Sequence, residues 1–239
     1  MRRTLLTLLA CLALTGCAQP AEPAASAPAS STPAAPPATT TPGLPPEQER
    51  AFRHLTFQAV LPIDTVQSSG TRFHEQHVDK GPMTSCWAEL STPPAVSYLR
   101  RWQSDHDWAS SAGHLYQGRR AEQLIAELRE LATRTCPAWK DPELGSFQYR
   151  GEVTIKGTTG VDAAFAFCAD NRQPTGEERL YCWAYLARNG PGTTMLSMVG
   201  TGGPKLELVD GGDAGLVEKM KFQTFILGSI AELTPLDLP

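Results

Sequence analysis

Residues 163–170 read AAFAFCAD and residues 179–188 read RLYCWAYLAR, with the turn sequence Pro174-Thr175-Gly176 between them. Two strand-like segments around such a turn predict an antiparallel β-hairpin. The register that places Cys168 opposite Cys182 also places Phe167 opposite Trp183. In that register one face of the hairpin carries an aromatic row, made of Phe165, Phe167, Tyr181, Trp183 and Tyr185.

Strands are also predicted on both sides of this hairpin. Before it, apolar residues alternate with polar ones, which indicates a strand with one buried face. The apolar positions of that segment are Phe147, Tyr149, Val153 and Ile155. After it, a turn sequence at residues 189–192 precedes a fourth strand at residues 195–199. Together the segments predict an antiparallel meander.

Helices are predicted to pack on this sheet. Residues 119–134 carry an apolar stripe at helical spacing, and Pro137 ends the helix just after Cys136. The stripe consists of Ala121, Leu124, Ile125, Leu128, Leu131 and Ala132. A second helix is predicted from Asp213, as its N-cap, through Ile230, and shorter helices at residues 47–53 and 95–105. The predicted fold class is α+β: an antiparallel β-sheet meander with flanking α-helices and two disulfides.

The amino terminus has the pattern of a bacterial lipoprotein signal peptide. Arg2 and Arg3 precede a leucine-rich stretch that is too short to span a bilayer as a helix. The stretch ends at Leu14-Thr15-Gly16-Cys17, which matches a lipobox. Residues 1–17 are therefore predicted to be a signal peptide, with a diacylglyceryl group on Cys17. The alternative is that Cys17 is only the last residue of an ordinary signal sequence.

A tether separates this region from the folded domain. In residues 18–46, 25 of 29 residues are Ala, Pro, Ser or Thr, a composition that cannot bury enough apolar surface to fold. Residues 47–239 are predicted to form one domain. The formal net charge of −4 becomes −6 once Arg2 and Arg3 are removed. This acidity, without Lys/Arg runs, argues against nucleic acid as a partner.

Four cysteines remain for the folded domain, and outside the membrane four thiols predict two disulfides. Three connectivities are possible. A non-hydrogen-bonded antiparallel pair lies about 4.5 Å apart at Cα, within disulfide range, so the hairpin register favours Cys168 with Cys182. This pairing leaves Cys86 with Cys136.

The order of these elements resembles the PknH-like extracytoplasmic sensor domains of actinobacterial receptor kinases and lipoproteins. The similarity includes Leu61-Pro62, Cys86-Trp87-Ala88, Tyr116-x-x-Arg119-x-Ala121 and the segment from Cys182 to Asn189. The chain departs from the pattern by the insertion Gly190-Pro191-Gly192 and by the lack of a cysteine at the end of the next strand. The resemblance implies a helix-flanked sheet with a cleft for an extracellular ligand, and it implies no catalytic residues.

Three groups of histidine and acidic residues are candidates for catalytic or metal-binding chemistry. His74-Glu75-Gln76-His77, with Asp79, could bind a metal only on a helix or turn, so a polar loop is favoured. Asp105-His106-Asp107 with His114 suggests acid/base chemistry. The favoured alternative is that these residues belong to an exposed helix end and a loop. Asp210-Gly211-Gly212-Asp213 is interpreted as a turn with an N-cap rather than an ion-binding loop. No catalytic residue, metal or cofactor is predicted.

The aromatic residues are the candidates for ligand binding. The hairpin row is core if a helix covers it, and a stacking platform for sugar rings or a peptide if it stays open. Trp102 and Trp108 either line a cleft or belong to the core. The candidates are Trp102, Trp108, Phe165, Phe167, Trp183 and Tyr185.

The predicted function is a non-catalytic ligand-binding or sensing module, lipid-anchored on the extracytoplasmic face of the cell membrane. Its ligand would be a small molecule, a cell-wall fragment or an envelope protein. The alternatives are a cell-envelope hydrolase or metal-dependent enzyme, and a purely structural envelope lipoprotein.

Overall fold

The computed structural model describes residues 44–68, 75–79, 84–85, 88–142, 144–205 and 216–239. For residues 75–79, 84–85, 88–89 and 216–217 only the backbone is described. The signal peptide, Cys17, most of the tether, Cys86, His74 and the 210–213 turn lie outside the described residues.

Four helices and ten strands make up the described part of the chain. The helices are α1 (Pro46–Gln58), α2 (Ile63–Gln67), α3 (Ala121–Glu130), which continues as a π-helical turn (Leu131–Thr135), and α4 (Leu216–Leu233). The strands are β1 (Glu75–Asp79), β2 (Thr84–Ser85), β3 (Ala88–Glu89), β4 (Val96–Gln103), β5 (Trp108–Gln117), β6 (Ala138–Asp141), β7 (Gly145–Glu152), β8 (Ala163–Arg172), β9 (Glu178–Asn189) and β10 (Thr193–Pro204).

Eight of the strands form one antiparallel sheet in the order β1-β4-β5-β10-β9-β8-β7-β6, and β2 pairs with β3. The β8–β9 hairpin has the predicted register, with Phe167 opposite Trp183 and Cys168 opposite Cys182. The disulfide between Cys168 and Cys182 is confirmed, with a Cα–Cα distance of 4.0 Å. Cys136 is buried at the end of the π-helical turn, as predicted for the end of that helix.

Helices pack on both faces of the sheet, which confirms the predicted α+β class. We call the two sides the α4 face, where α1, α2 and α4 pack, and the α3 face, where α3 packs on β8, β9 and β10. Within the described ranges, no helix is long and apolar enough to cross a membrane.

The position of α3 is fixed from outside the helix. Its predicted apolar stripe faces the sheet, with Leu124 and Leu128 fully buried. The helix has no side-chain cap of its own, and instead Asn189 at the end of β9 accepts a 2.8 Å hydrogen bond from the N–H of Ala121. This bond satisfies one of the free donors at the helix start and ties α3 to the hairpin.

The predicted helix at residues 95–105 is wrong, because this segment is strand β4. Its buried residues Val96, Leu99 and Trp102 recur every third position, which imitates a helix. In the sheet, Val96 and Trp102 pack on the α4 face, while alternation turns Leu99 to the other side. Because apolar residues lie on both faces of β4, its sequence does not alternate between apolar and polar residues as a strand with one buried face does.

The segment before the hairpin does not keep one buried face. Phe147 and Tyr149 lie on the α3 face, but a β-bulge between Tyr149 and Gly151 shifts the register. The extra residue reverses the alternation, so that Val153 and Ile155 pack on the α4 face.

Helix α4 is buried on one side only. Met220 and Leu227 are 64% and 49% exposed, whereas Phe222, Phe225 and Ile226 are buried. The helix also buries two charged residues, which pair with each other as described below.

Candidate ligand-binding site

Two glycines of β10 allow aromatic side chains to approach the backbone closely on the α3 face. A Cβ on Gly200 would lie 2.9 Å from the indole of Trp108, and a Cβ on Gly202 would meet the ring of Tyr181. Glycine inside a strand often marks close approach of another group. Here the approaching groups are aromatic rings that lie against the backbone of β10.

These rings belong to a group that we call the indole cluster: Trp108, Trp139 and Trp183 with Phe147 and Tyr181. Trp183 is its centre, since its ring centroid lies 5.9 Å from that of Tyr181, 6.0 Å from Trp139 and 6.4 Å from Trp108. Trp139 stacks on Phe147 with centroids 4.8 Å apart and planes nearly parallel. The three indoles come from β5, β6 and β9, so the cluster depends on the whole sheet.

The members of the cluster differ in exposure. Phe147 and Tyr181 are buried, whereas all three tryptophans keep part of their surface open to solvent. Burial raises the pKa of the Tyr181 phenol, and Arg179 partly opposes this effect. The cluster thus has a buried aromatic base and a partly open layer of indoles.

The rest of the predicted aromatic row is core. Phe165, Phe167 and Tyr185 are at most 2% exposed and pack with the apolar stripe of α3. The row therefore divides where α3 ends, with three rings beneath the helix. Trp183 of the indole cluster contacts this buried group through Phe167, with ring centroids 5.3 Å apart. Trp102 is 1% exposed in the core of the α4 face, so it does not line a cleft.

Next to the indole cluster, β5 carries a row of polar residues that we call the β5 stripe: Ser110, His114 and Tyr116. All three are at most 2% exposed. Ser110 Oγ, His114 Nε2 and the Tyr116 hydroxyl have no hydrogen-bond partner within the described structure. Burial lowers the pKa of His114 to about 4 and raises that of Tyr116, so both side chains are neutral near pH 7.

His114 makes one hydrogen bond, between its Nδ1 and the hydroxyl of Ser97, at 2.8 Å. A serine beside a histidine can act in nucleophilic catalysis when a third group orients the ring. Here the second ring nitrogen is unpartnered, and a histidine with a pKa near 4 is a weak base. The pair is suited to offering neutral hydrogen-bonding groups.

The acid/base grouping suggested by the sequence does not assemble. Asp105 and His106 are exposed between β4 and β5, as the loop interpretation predicts, but His114 is buried inside β5. Asp107 instead forms a 2.7 Å ion pair with Lys221 of α4.

Lys221 also pairs with Glu218 at 2.7 Å, and both are almost fully buried. Burial raises the pKa of Glu218, although the neighbouring ammonium group partly counters it. Gly203 makes room for this group of charges, since a Cβ there would lie 2.6 Å from Glu218 Oε2. The three charged residues attach α4 to the start of β5.

Among the residues whose side chains are described, no group of three potential metal ligands comes together. The polar loop favoured for residues 74–79 is wrong at Glu75–Asp79, which form strand β1, and His74 lies outside the described residues.

A separate groove of about 560 Å³ lies on the α4 side, between the end of α1 and the end of α4. Its lining is mainly apolar, with Arg100, Glu232 and Asp237 as charged members. The guanidinium of Arg100 lies 4.8 Å from the Phe57 ring centroid. None of the aromatic residues predicted to bind ligand lines this groove.

Sequence reasoning missed Trp139 and Ser110. The signal for Trp139 was present, because the short connection between β6 and β7 pairs it with Phe147. No local signal identifies Ser110, whose importance depends on what lies opposite it in the fold.

The chain shows little similarity to known proteins. No protein-family model and no curated protein matches the chain. Among solved structures, the human StarD13 (DLC2) lipid transfer and protein localization domain is 13% identical, with a TM-score of 0.22 over 67% of this chain and 91% of that domain. DynU16, from the dynemicin biosynthetic locus, is 11% identical, with a TM-score of 0.17 over 66% of this chain and 78% of that one. Similarities this low assign neither a family nor a function.

Proposed function

We propose that the protein is a membrane-anchored extracytoplasmic lipoprotein whose folded domain is a non-catalytic ligand-binding or sensing module. The indole cluster is its binding surface. The observation that carries this proposal is the gathering of three partly open indoles, from three strands, on one face of the sheet. Tryptophan combines a large apolar face with an N–H donor, which suits it to binding surfaces.

The ligand class follows from the shape of this surface. Flat aromatic rings stack on the apolar faces of other rings, including those of sugars, and a few polar groups beside them fix orientation. A lipid on Cys17 and a tether of up to roughly 90 Å would place the domain among envelope polysaccharides. A sugar-containing envelope component is therefore the proposed ligand.

The resemblance to PknH-like sensor domains supports a sensing role for this binding. In such a role, occupancy of the indole cluster is communicated to another envelope protein. The domain itself carries out no chemistry on the ligand.

Binding can be tested by co-sedimentation of the mature protein with insoluble peptidoglycan. Trp139 is the best position, because it lies at the rim of the cluster rather than at its centre. Trp139→Ala should weaken binding about tenfold, which corresponds to roughly 1.4 kcal/mol, and Trp139→Phe should recover part of the loss. Phe57→Ala is the matched control, since Phe57 is an exposed ring on α1.

Equal binding by the parent protein, Trp139→Ala and Trp108→Ala, all folded by circular dichroism, would remove the indole cluster from the proposal. Absence of any binding to peptidoglycan or to other purified envelope polysaccharides would contradict the sugar ligand.

Export and anchoring require separate tests. Radiolabelled palmitate should be incorporated into the parent protein but not into Cys17→Ala, and only the parent should partition into a detergent phase. Peptide mapping without reductant should find Cys86 linked to Cys136, the second predicted disulfide. An unmodified Cys17 or two free thiols would contradict this part of the proposal.

A further inference from the structure

The β5 stripe carries three buried polar atoms without hydrogen bonds on one face of one strand. Ser110 Oγ, His114 Nε2 and the Tyr116 hydroxyl are closed to solvent and unpartnered within the described part of the chain. Buried polar groups in native proteins are nearly always hydrogen-bonded, and an unpartnered one calls for an explanation such as a bound water, an ion or a ligand. Three exceptions in one row indicate a common partner.

The stripe is continuous with the indole cluster. A Cβ at Gly200 would lie 2.8 Å from Ser110 Oγ and 2.9 Å from the Trp108 ring, so the same glycine lies beneath the first polar residue and the first indole. From Ser110 to Tyr116 the strand extends about 20 Å. One elongated ligand can therefore contact rings at one end and polar groups along the rest.

The polar groups of the stripe are neutral and versatile. Serine and tyrosine hydroxyls both donate and accept, and a neutral imidazole nitrogen does one or the other according to its tautomer. The guanidinium of Arg119 lies 5.9 Å from the ring centroid of Tyr116 and pairs with Glu127 at 2.6 Å. Hydrogen bonds from the backbone of Ser91 and from Arg119 outweigh the effect of burial and lower the pKa of Glu127. Glu127 and Arg119 therefore remain an ion pair. The side chains of the stripe itself therefore carry no charge near pH 7, although Arg119 Nη1 beside them is buried without a hydrogen-bond partner among the described residues.

We propose that the β5 stripe is the specificity-determining half of the binding site, where Ser110, His114 and Tyr116 bind the hydroxyl groups of a neutral oligosaccharide whose rings stack on the indole cluster. This inference rests on the proposed binding function and adds the ligand class and the residues that select it. Because the polar atoms are buried in the free protein, the ligand reaches them only after this face opens.

The test uses the mature protein and two soluble probes, the tetramer of N-acetylglucosamine and the acidic tetramer of galacturonic acid. The neutral probe should bind more tightly than the acidic one. Ser110→Ala and Tyr116→Phe should each weaken binding of the neutral probe by about three- to tenfold, as expected for one lost hydrogen bond. The same variants should raise the melting temperature of the free protein, because each removes an unpartnered buried group.

The rise in melting temperature distinguishes a ligand-directed group from a structural one, whose removal lowers it. The observed association rate should also level off at high probe concentration, since opening precedes binding. A lower melting temperature in both variants, or unchanged affinity, would overturn the inference. If Trp139→Ala loses binding while both stripe variants keep it, the proposed function stands and the stripe is not part of the site.

Discussion

His114 should make the protein sensitive to acid. Its ring is fully enclosed in the sheet, and burial lowers its pKa from the ordinary 6.5 to about 4. In the unfolded chain the same ring takes up a proton below about pH 6.5, whereas in the folded chain it stays neutral until about pH 4. The free energy of unfolding therefore falls as the pH drops through this window.

The size of the effect follows from the two pKa values. Each pKa unit corresponds to about 1.36 kcal/mol. His114 should therefore lower the free energy of unfolding by about 3 kcal/mol at pH 4 relative to pH 7. The variant His114→Gln cannot titrate and should lack this loss. His106→Gln, which changes an exposed histidine in the loop before β5, is the control.

Urea unfolding followed by far-ultraviolet circular dichroism at pH 7, 5.5 and 4 measures the effect. The difference in unfolding free energy between the parent and His114→Gln should shift by about 3 kcal/mol in favour of the variant as the pH falls from 7 to 4. The reasoning is refuted if the two proteins show parallel profiles, or if His106→Gln removes the acid sensitivity.

Three further changes test other parts of the fold. Replacing Cys168 and Cys182 together by Ala should lower the unfolding free energy by about 3 kcal/mol, the value for a loop of roughly 15 residues, and the parent and the variant should match in urea when both are reduced. Gly113→Ala should cost about 1–3 kcal/mol because a Cβ there meets a backbone carbonyl of α1, whereas Gly192→Ala, with its nearest atom at 3.9 Å, should cost little in thermal unfolding. Burial raises the pKa of the Glu218 carboxyl, so the free energy of unfolding should fall as the pH rises above 4.5. Glu218→Gln cannot titrate and should therefore flatten this fall between about pH 4.5 and 8. A steeper fall in that variant would contradict the assignment.

The parts of the fold that were predictable are those in which local pattern and long-range packing agree. The β8–β9 register followed from the sequence because one alignment paired the two cysteines and also sorted the aromatic residues onto one face. The α3 helix was equally clear, since its stripe at helical spacing faces a single apolar surface.

The missed parts depend on partners distant in the chain. Strand β4 is covered on both faces, and its apolar residues at every third position resemble a helix. The bulge after Tyr149 arises from pairing with β8, which no local pattern specifies. The indole cluster unites Trp108 and Trp139 through strands that meet only in the complete sheet, and the unpartnered state of Ser110 is a property of the fold alone.

One of the two edges of the sheet is β6, which has only four residues and exposes Lys140. A short, charged outer strand offers a neighbouring molecule few backbone groups with which to extend the sheet. This edge is therefore a poor place for a neighbouring copy to join its own strand to the sheet.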